Sequence, residues 1–355
     1  MDIARPTRRS IIATLGGVIR VLRRRGLLAG GLLACGCIPG AAGAGEFSWD
    51  LSGGASQSAT GDTLDTDGST LAATYYFDSV DDSQGPYSLA TFFDPASRVS
   101  LAIARTKATT HLTGFVPPGV APDLTTTTDE YTIGGQYWLS ASKWYAGGTY
   151  TTRNADLPVV TGLFVTRADS NAYRVFAGKY LGPKTSLELG LSRSVGKLGQ
   201  IVDLCPPPAV CAIGGRIDIE SKTVNDDIDL RFVHVRRFRS LTYSLFGGVT
   251  ESSGHSTIEA NPTPPVLFTG SGNIREHWTY SFGAEAFPTT RLGVRVGYTR
   301  ADNHSVRNDS YDVAATWFFK RNIGIQVSWS QTQAHSDFAT FPNDDTTSIR
   351  FIGRL

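Results

Sequence analysis

The chain has little charge, few thiols and one methionine. Asp, Glu, Lys and Arg make up 18% of its 355 residues, with four Cys and six His. The charged share is below the roughly 25% of an ordinary soluble domain. The His are scattered and no H-E-x-x-H occurs, so the sequence offers no recognisable zinc site and calls for no cofactor. G-x-S-x-G is missing too, and although Ser and His are both present, no local motif favours an outer-membrane lipase or another enzyme. Gly190 to Lys197 has the outline of a phosphate loop, but five residues separate its glycines and Leu198 follows the Lys, so it fails. Beyond the N-terminus no apolar run approaches the roughly 20 residues of a helical membrane span. No basic patch is interleaved with aromatics, which argues against a nucleic-acid partner.

Glycine is abundant, at 38 residues, and aromatics reach 10%. Val, Ile, Thr, Tyr and Phe recur in short segments, the composition of strands.

The first 44 residues read as an export signal. Arg23-Arg24-Arg25 precede an apolar stretch from Gly26 to Pro39 and then Ala42-Gly43-Ala44. A basic region, a short apolar core and an A-x-A site make a Sec-type signal peptide, with cleavage expected after Ala44 and a single domain at 45–355. The apolar core is too short and too rich in Gly for an anchor. Two weaker readings are a twin-arginine signal at Arg8-Arg9 and a lipobox at Leu32-Leu33-Ala34-Cys35, where Leu33 stands in place of a small residue. Without the seven Arg and one Asp of residues 1–44, 26 basic and 31 acidic residues remain, so the mature domain carries about −5.

After Gly45 apolar residues recur with a period of two. Leu241, Tyr243, Leu245, Gly247 and Val249 alternate with Thr242, Ser244, Phe246, Gly248 and Thr250, and Trp278, Tyr280 and Phe282 alternate with Thr279, Ser281 and Gly283. On a strand this makes one apolar face, whereas on a helix it would scatter around the cylinder. Fourteen strands are expected, at 46–55, 69–79, 98–107, 129–140, 144–151, 171–181, 185–195, 224–235, 241–250, 276–287, 292–300, 310–319, 323–331 and 347–355. Their connections alternate. Short turns lie at 140–143, 182–184, 236–240, 288–291 and 320–322; long loops lie at 56–68, 108–128, 152–170, 196–223, 251–275, 301–309 and 332–346. Segment 80–97 is read as a longer connection on the short-turn side. None of the 17 Pro falls in these strands, as paired strands require.

The pattern predicts an all-β fold, a transmembrane antiparallel up-and-down barrel with short periplasmic turns and long outer loops. Aromatics beside the short turns (Tyr75, Tyr76, Phe77, Tyr137, Trp138, Trp144, Tyr145, Tyr180, Phe287, Phe318 and Phe319) are expected to form the periplasmic girdle.

A charge facing lipid at the midplane costs about 2–4 kcal/mol, so charges within strands belong inside. On this phasing Asp50, Arg174, Glu188, Asp227, Asp229, Arg231, Glu285, Arg295, Asp312, Arg350 and Arg354 face the lumen. Glu285 and Arg295 flank a turn and are expected to pair across it. Arg231 with Asp229 and Asp227 is a candidate constriction. In the outer loops, Cys205 and Cys211 enclose five residues and are expected to form a disulfide in an oxidising periplasm, since no further Cys or suitably spaced His supports metal binding. Asp62, Asp65, Asp67, Asp344 and Asp345 make the outer rim acidic, as solvated groups or as divalent-ion contacts near lipopolysaccharide.

One stretch carries a family likeness. Tyr75-Tyr76-Phe77-Asp78, Gly85-Pro86, Phe92-Phe93 and Ala96-Ser97 lead into Val99 to Ala104. This resembles the general-porin family of Gram-negative bacteria over residues 69–104, about a tenth of the chain. The resemblance implies an outer-membrane pore for small solutes and supplies no site residues. The C-terminus departs from the usual barrel ending, with Leu355 and Gly353 where aromatics are common.

The first functional expectation is therefore a passive channel for small solutes or ions. Its expected partners are outer-membrane lipid, lipopolysaccharide, the barrel-insertion machinery and further copies in a homo-oligomer. The second is a non-transport barrel (adhesin, structural anchor or protein-export component) that works through its surface loops. The third is a soluble secreted β protein.

Overall fold

The structure is a computed structural model that describes residues 46–61, 63–111, 123–156, 164–203, 216–262, 268–303, 306–336 and 342–355. The signal segment 1–44, Asp62 and the Cys205–Cys211 pair lie outside the described residues.

Fourteen strands run in chain order: β1 (Glu46–Thr60), β2 (Leu64–Asp81), β3 (Arg98–His111), β4 (Asp123–Leu139), β5 (Trp144–Asp156), β6 (Phe164–Gly182), β7 (Thr185–Asp203), β8 (Arg216–Phe238), β9 (Leu241–Pro262), β10 (Phe268–Phe287), β11 (Leu292–Asn303), β12 (Val306–Lys320), β13 (Ile323–Ser336) and β14 (Asp344–Arg354). Each pairs antiparallel with its sequence neighbour, and β14 pairs with β1 to close the barrel. The Leu355 backbone completes the seam, donating to the Trp49 carbonyl and accepting from Ser48 and Trp49. Closure leaves no unpaired edge, which a sheet in hydrocarbon cannot tolerate.

The register sorts every strand into two faces. Leu189, Leu230 and Val249 stand in line across β7, β8 and β9, as do Ile103, Tyr131 and Leu71 across β3, β4 and β2. Outward positions are apolar and open: Val175 is 60% exposed, Phe282 59%, Leu71 55% and Trp317 54%. A water-soluble protein does not carry such a surface around its whole girth; a membrane barrel does. No helix among the described residues is long and apolar enough to cross a membrane, and the strands do the crossing.

On the short-turn side, strand ends fall within three residues of their expected places. The outer ends do not, and the long loops are a correction. β9 runs on to Pro262 and β8 begins at Arg216, so most of 216–223 and 251–262 is paired strand. Beyond the lipid band both faces of the sheet are wet. There the apolar–polar alternation vanishes although the hydrogen-bond ladder continues, and the periodicity that marks a strand goes with it.

The expected girdle also splits. Phe77, Tyr137, Trp144 and Phe319 are exposed on the outward face, where a girdle belongs. Tyr76, Tyr145, Phe287 and Phe318 have the opposite parity and are buried inside the barrel, each at most 7% exposed. They have another task, described below. A second outward row, with Tyr131, Tyr173, Trp278, Tyr280 and Tyr311, marks the outer edge of the band.

Candidate functional site

The inward face of the barrel is a polar wall. By register, the eleven charged residues singled out from the sequence lie on the face opposite the exposed apolar residues. Most of them bind one another rather than projecting freely.

The densest group spans β6, β7 and β8. Arg174 donates from Nη2 to Glu188 at 2.6 Å and from Nε and Nη2 to Asp229 at 3.0 and 2.8 Å. Arg231 approaches the same Asp229 at 3.2 Å, and Asp227 accepts from the Ser192 hydroxyl at 2.9 Å. Arg174 and Asp229 sit on strands that are not neighbours, and Gly190 of the intervening β7 lets them meet. A Cβ at Gly190 would stand 2.6 Å from Asp229 Oδ1 and 2.7 Å from Arg174 Nη2. The side chains thus lie flat along the wall instead of pointing into the lumen.

Across the barrel, Arg354 pairs with Asp50 at 3.4 Å and Arg295 with Asp312 at 3.3 Å. Glu285 and Arg295 are opposite each other in register, as expected, but they do not form an ion pair. The Glu285 carboxylate lies over Gly293, where a Cβ would be 2.7 Å from Oε1. Arg295 turns instead to Asp312 and to the Phe246 ring, 4.4 Å from its centroid. Three more wall charges were not singled out from the sequence: Arg98, bonded to Gln136, and the pair Arg153–Glu130, at 2.7 Å. Arg98 and Glu130 share the inward parity of their strands, so strict phasing would have found them. Arg153 lies past the end of the apolar alternation.

The connection between β2 and β3 does not hang below the barrel. It crosses the mouth on the short-turn side as a strap, residues 82–97, with a 3-10 turn at Tyr87–Leu89 followed by α1 (Ala90–Phe93). On one side Tyr87 donates its N–H to the Thr290 carbonyl of the β10–β11 turn and packs edge-on against Phe318 of β12. Five residues on, Phe92 meets Tyr180 of β6 at 5.3 Å, and Tyr180 in turn meets Trp138 of β4. These anchors lie on opposite arcs of the barrel.

Two arginines fasten the strap. Arg321, in the β12–β13 turn, binds Asp82 at 2.5 Å. Arg354 donates to the Tyr87 carbonyl at 2.5 Å while its guanidinium lies between the rings of Phe47 and Phe318, 4.6 and 4.9 Å from their centroids. Where the strap meets the wall, its Ala90 and Ala96 pack with Phe47, Tyr76 and Val80 in a buried cluster. The inward aromatics are therefore the seat of the strap. Between strap and wall lies a chamber of about 340 Å³, lined by Asp50, Ser88, Glu285, Arg295, Gln326 and Arg350 among others.

The outer rim carries its own clasp. His111, at the end of β3, reaches Asp123 of β4 through Nδ1 at 2.8 Å and Asp65 through Nε2 at 3.3 Å. Asp65 is thus engaged by a side chain, and Asp345 accepts from Gln331. No group of three His, Cys, Asp or Glu side chains placed to hold a metal ion occurs among the described residues. Hydrogen bonds first to Asp123 and then to Asp65 hold the His111 pKa above its ordinary 6.5. The clasp therefore contributes fully below pH 6.5 and is lost as pH rises through the elevated folded value. Amide protection at the outer ends of β3 and β4, taken relative to the intrinsic exchange rate at each pH, is expected to be greater at pH 5.5 than at pH 8.5. Substitution His111→Gln is expected to remove that difference, and equal protection at the two pH values in the unaltered protein would refute the clasp.

Comparison with known proteins places the fold. No family model matches the chain, and no curated relative does. Among solved structures, the Pseudomonas putida toluene transporter TodX superposes with a TM-score of 0.56 at 10% identity, covering 88% of this chain and 90% of that one. The Ralstonia pickettii toluene transporter TbuX does so at 0.51 and 11% identity, again over 88% and 90%. Acinetobacter baumannii Omp33 is 16% identical, covering 87% and 99%, with a TM-score of 0.48. At such identities the likeness is one of fold, a closed antiparallel β-barrel.

Proposed function

We propose that this chain is an outer-membrane channel that passes small polar solutes or ions by diffusion and is narrowed at its periplasmic mouth by the strap. The observation that carries the reading is the contrast between the two faces of one closed sheet. The outward face is an apolar band that suits lipid, and the inward face is a charged and hydroxylated wall that suits water. TodX and TbuX are described as toluene transporters. The charged wall here supports hydrated cargo instead. The wall chemistry calls for no catalytic step and no cofactor. Export through the 1–44 signal, insertion by the barrel-assembly machinery and a loop disulfide at Cys205–Cys211 complete the proposal.

A second reading rests on the outer ends of β7 to β10, which continue well past the lipid band. They would present a surface to a partner, as in an adhesin or anchor. One experiment separates the two. Residues 45–355, refolded in detergent and added to a planar bilayer, are expected to give discrete conductance steps. A barrel that shows heat-modifiable migration on a gel yet never conducts would overturn the channel and favour the surface role.

A further inference from the structure

Five charged side chains line the chamber above the strap: Asp50, Glu285, Arg295, Arg350 and Arg354. Three of them are already paired, Asp50 with Arg354 and Arg295 with Asp312. The other two, Glu285 and Arg350, form no ion pair with any described residue. They have opposite signs and stand on β10 and β14, with three strands between them at about 4.8 Å spacing. They therefore approach the chamber from well-separated parts of its wall.

We propose that the chamber is a binding subsite for a zwitterion of about dipeptide size, a proposal that rests on the channel reading above. Glu285 is half-buried, so its charge loses part of its hydration and a complementary partner restores what is lost, while Arg350 is exposed and open to a solute's carboxylate. A free anion would satisfy Arg350 and leave Glu285 unmatched, and a free cation would do the reverse. A solute with a carboxylate at one end and an ammonium at the other satisfies both and brings no net charge. Its carboxylate meets the Arg350 fork, which suits bidentate recognition, and its ammonium meets Glu285. Gly293 keeps the Glu285 carboxylate from being crowded by β11, because a side chain there would meet Oε1. The Ser88 hydroxyl of the strap, which also lines the chamber, offers a neutral partner. The volume of about 340 Å³ holds a dipeptide with room for bridging water.

The test is osmotic swelling of proteoliposomes containing the refolded protein, with dialanine compared against N-acetylalanine methylamide, a neutral solute of similar size. In the unaltered protein dialanine is expected to enter several-fold faster. Glu285→Gln and Arg350→Gln, each checked for heat-modifiable migration, are expected to bring the ratio of the dialanine rate to the neutral-solute rate down to about one. Equal rates in the unaltered protein, or a preference that survives both substitutions, would overturn the subsite while leaving the channel standing. A protein that admits neither solute overturns the channel and the subsite together.

Discussion

Replacing the strap residues 86–93 with a Gly-Ser linker of equal length is expected to raise single-channel conductance on the order of two- to fivefold, because pore width governs passive flux. The strap crosses the mouth between anchors at the β10–β11 turn and at β6. Its removal opens the mouth on the short-turn side without touching a strand. The barrel itself is expected to persist, since its ladders close independently of residues 82–97. Arg354→Gln probes the same device more gently. It removes the cation sandwiched between Phe47 and Phe318 and the bond to the Tyr87 carbonyl, so the channel is expected to flicker between two conductance levels rather than widen permanently. Conductance unchanged by both alterations would mean that the strap does not limit flow.

The same segment shows how far the sequence could be read. The membrane-crossing parts of all fourteen strands are legible, because there one face meets lipid and the other meets water, and the period of two records that contrast directly. Parity alone would also have separated Tyr76 from Phe77 and Phe318 from Phe319. Reading the aromatics as one girdle overlooked that adjacent residues on a strand face opposite ways. The strap was recognisable only as an interruption. Its course is set by contacts of long sequence separation, such as Arg354 with Tyr87 and Arg321 with Asp82, and no local pattern encodes them. The wall charges were legible as a set, but their partners were not. Glu285 and Arg295 are opposite in register and yet do not join. Arg174 skips a strand to reach Asp229, because a glycine between them leaves the way clear. Which partner a long side chain chooses depends on the bulk of its neighbours, and that becomes visible only when the register is known.

Arg174→Ala is expected to destabilise the barrel by about 3 kcal/mol, the low end for removing one partner of a buried ion pair. Asp229 has a side chain only 4% exposed, and Glu188 and Arg174 are each at 18%. Without the guanidinium, the Glu188 and Asp229 carboxylates on adjacent strands would be left with Arg231 as the neighbouring cation. The control is Arg193→Ala. Arg193 makes an equally short two-pronged contact with Asp226, but on the outward face, where the pair is 62% and 48% exposed. Its loss is expected to move the urea midpoint far less, as for surface pairs generally. The two variants, compared by urea midpoint in the same detergent, therefore ask whether burial or geometry gives the network its strength. Gly190→Leu should reproduce the Arg174→Ala loss by forcing the two groups apart, and combining it with Arg174→Ala should cost less than the sum of the single losses. The electrical consequence is independent of the stability one. Removing Arg174 leaves Glu188, Asp227 and Asp229 on that arc against Arg231 alone, so the reversal potential in a salt gradient is expected to shift toward cation preference. Equal midpoints for Arg174→Ala and Arg193→Ala would show that the lumen is wet enough to screen the network, and its charges would then act on passing ions rather than on the fold.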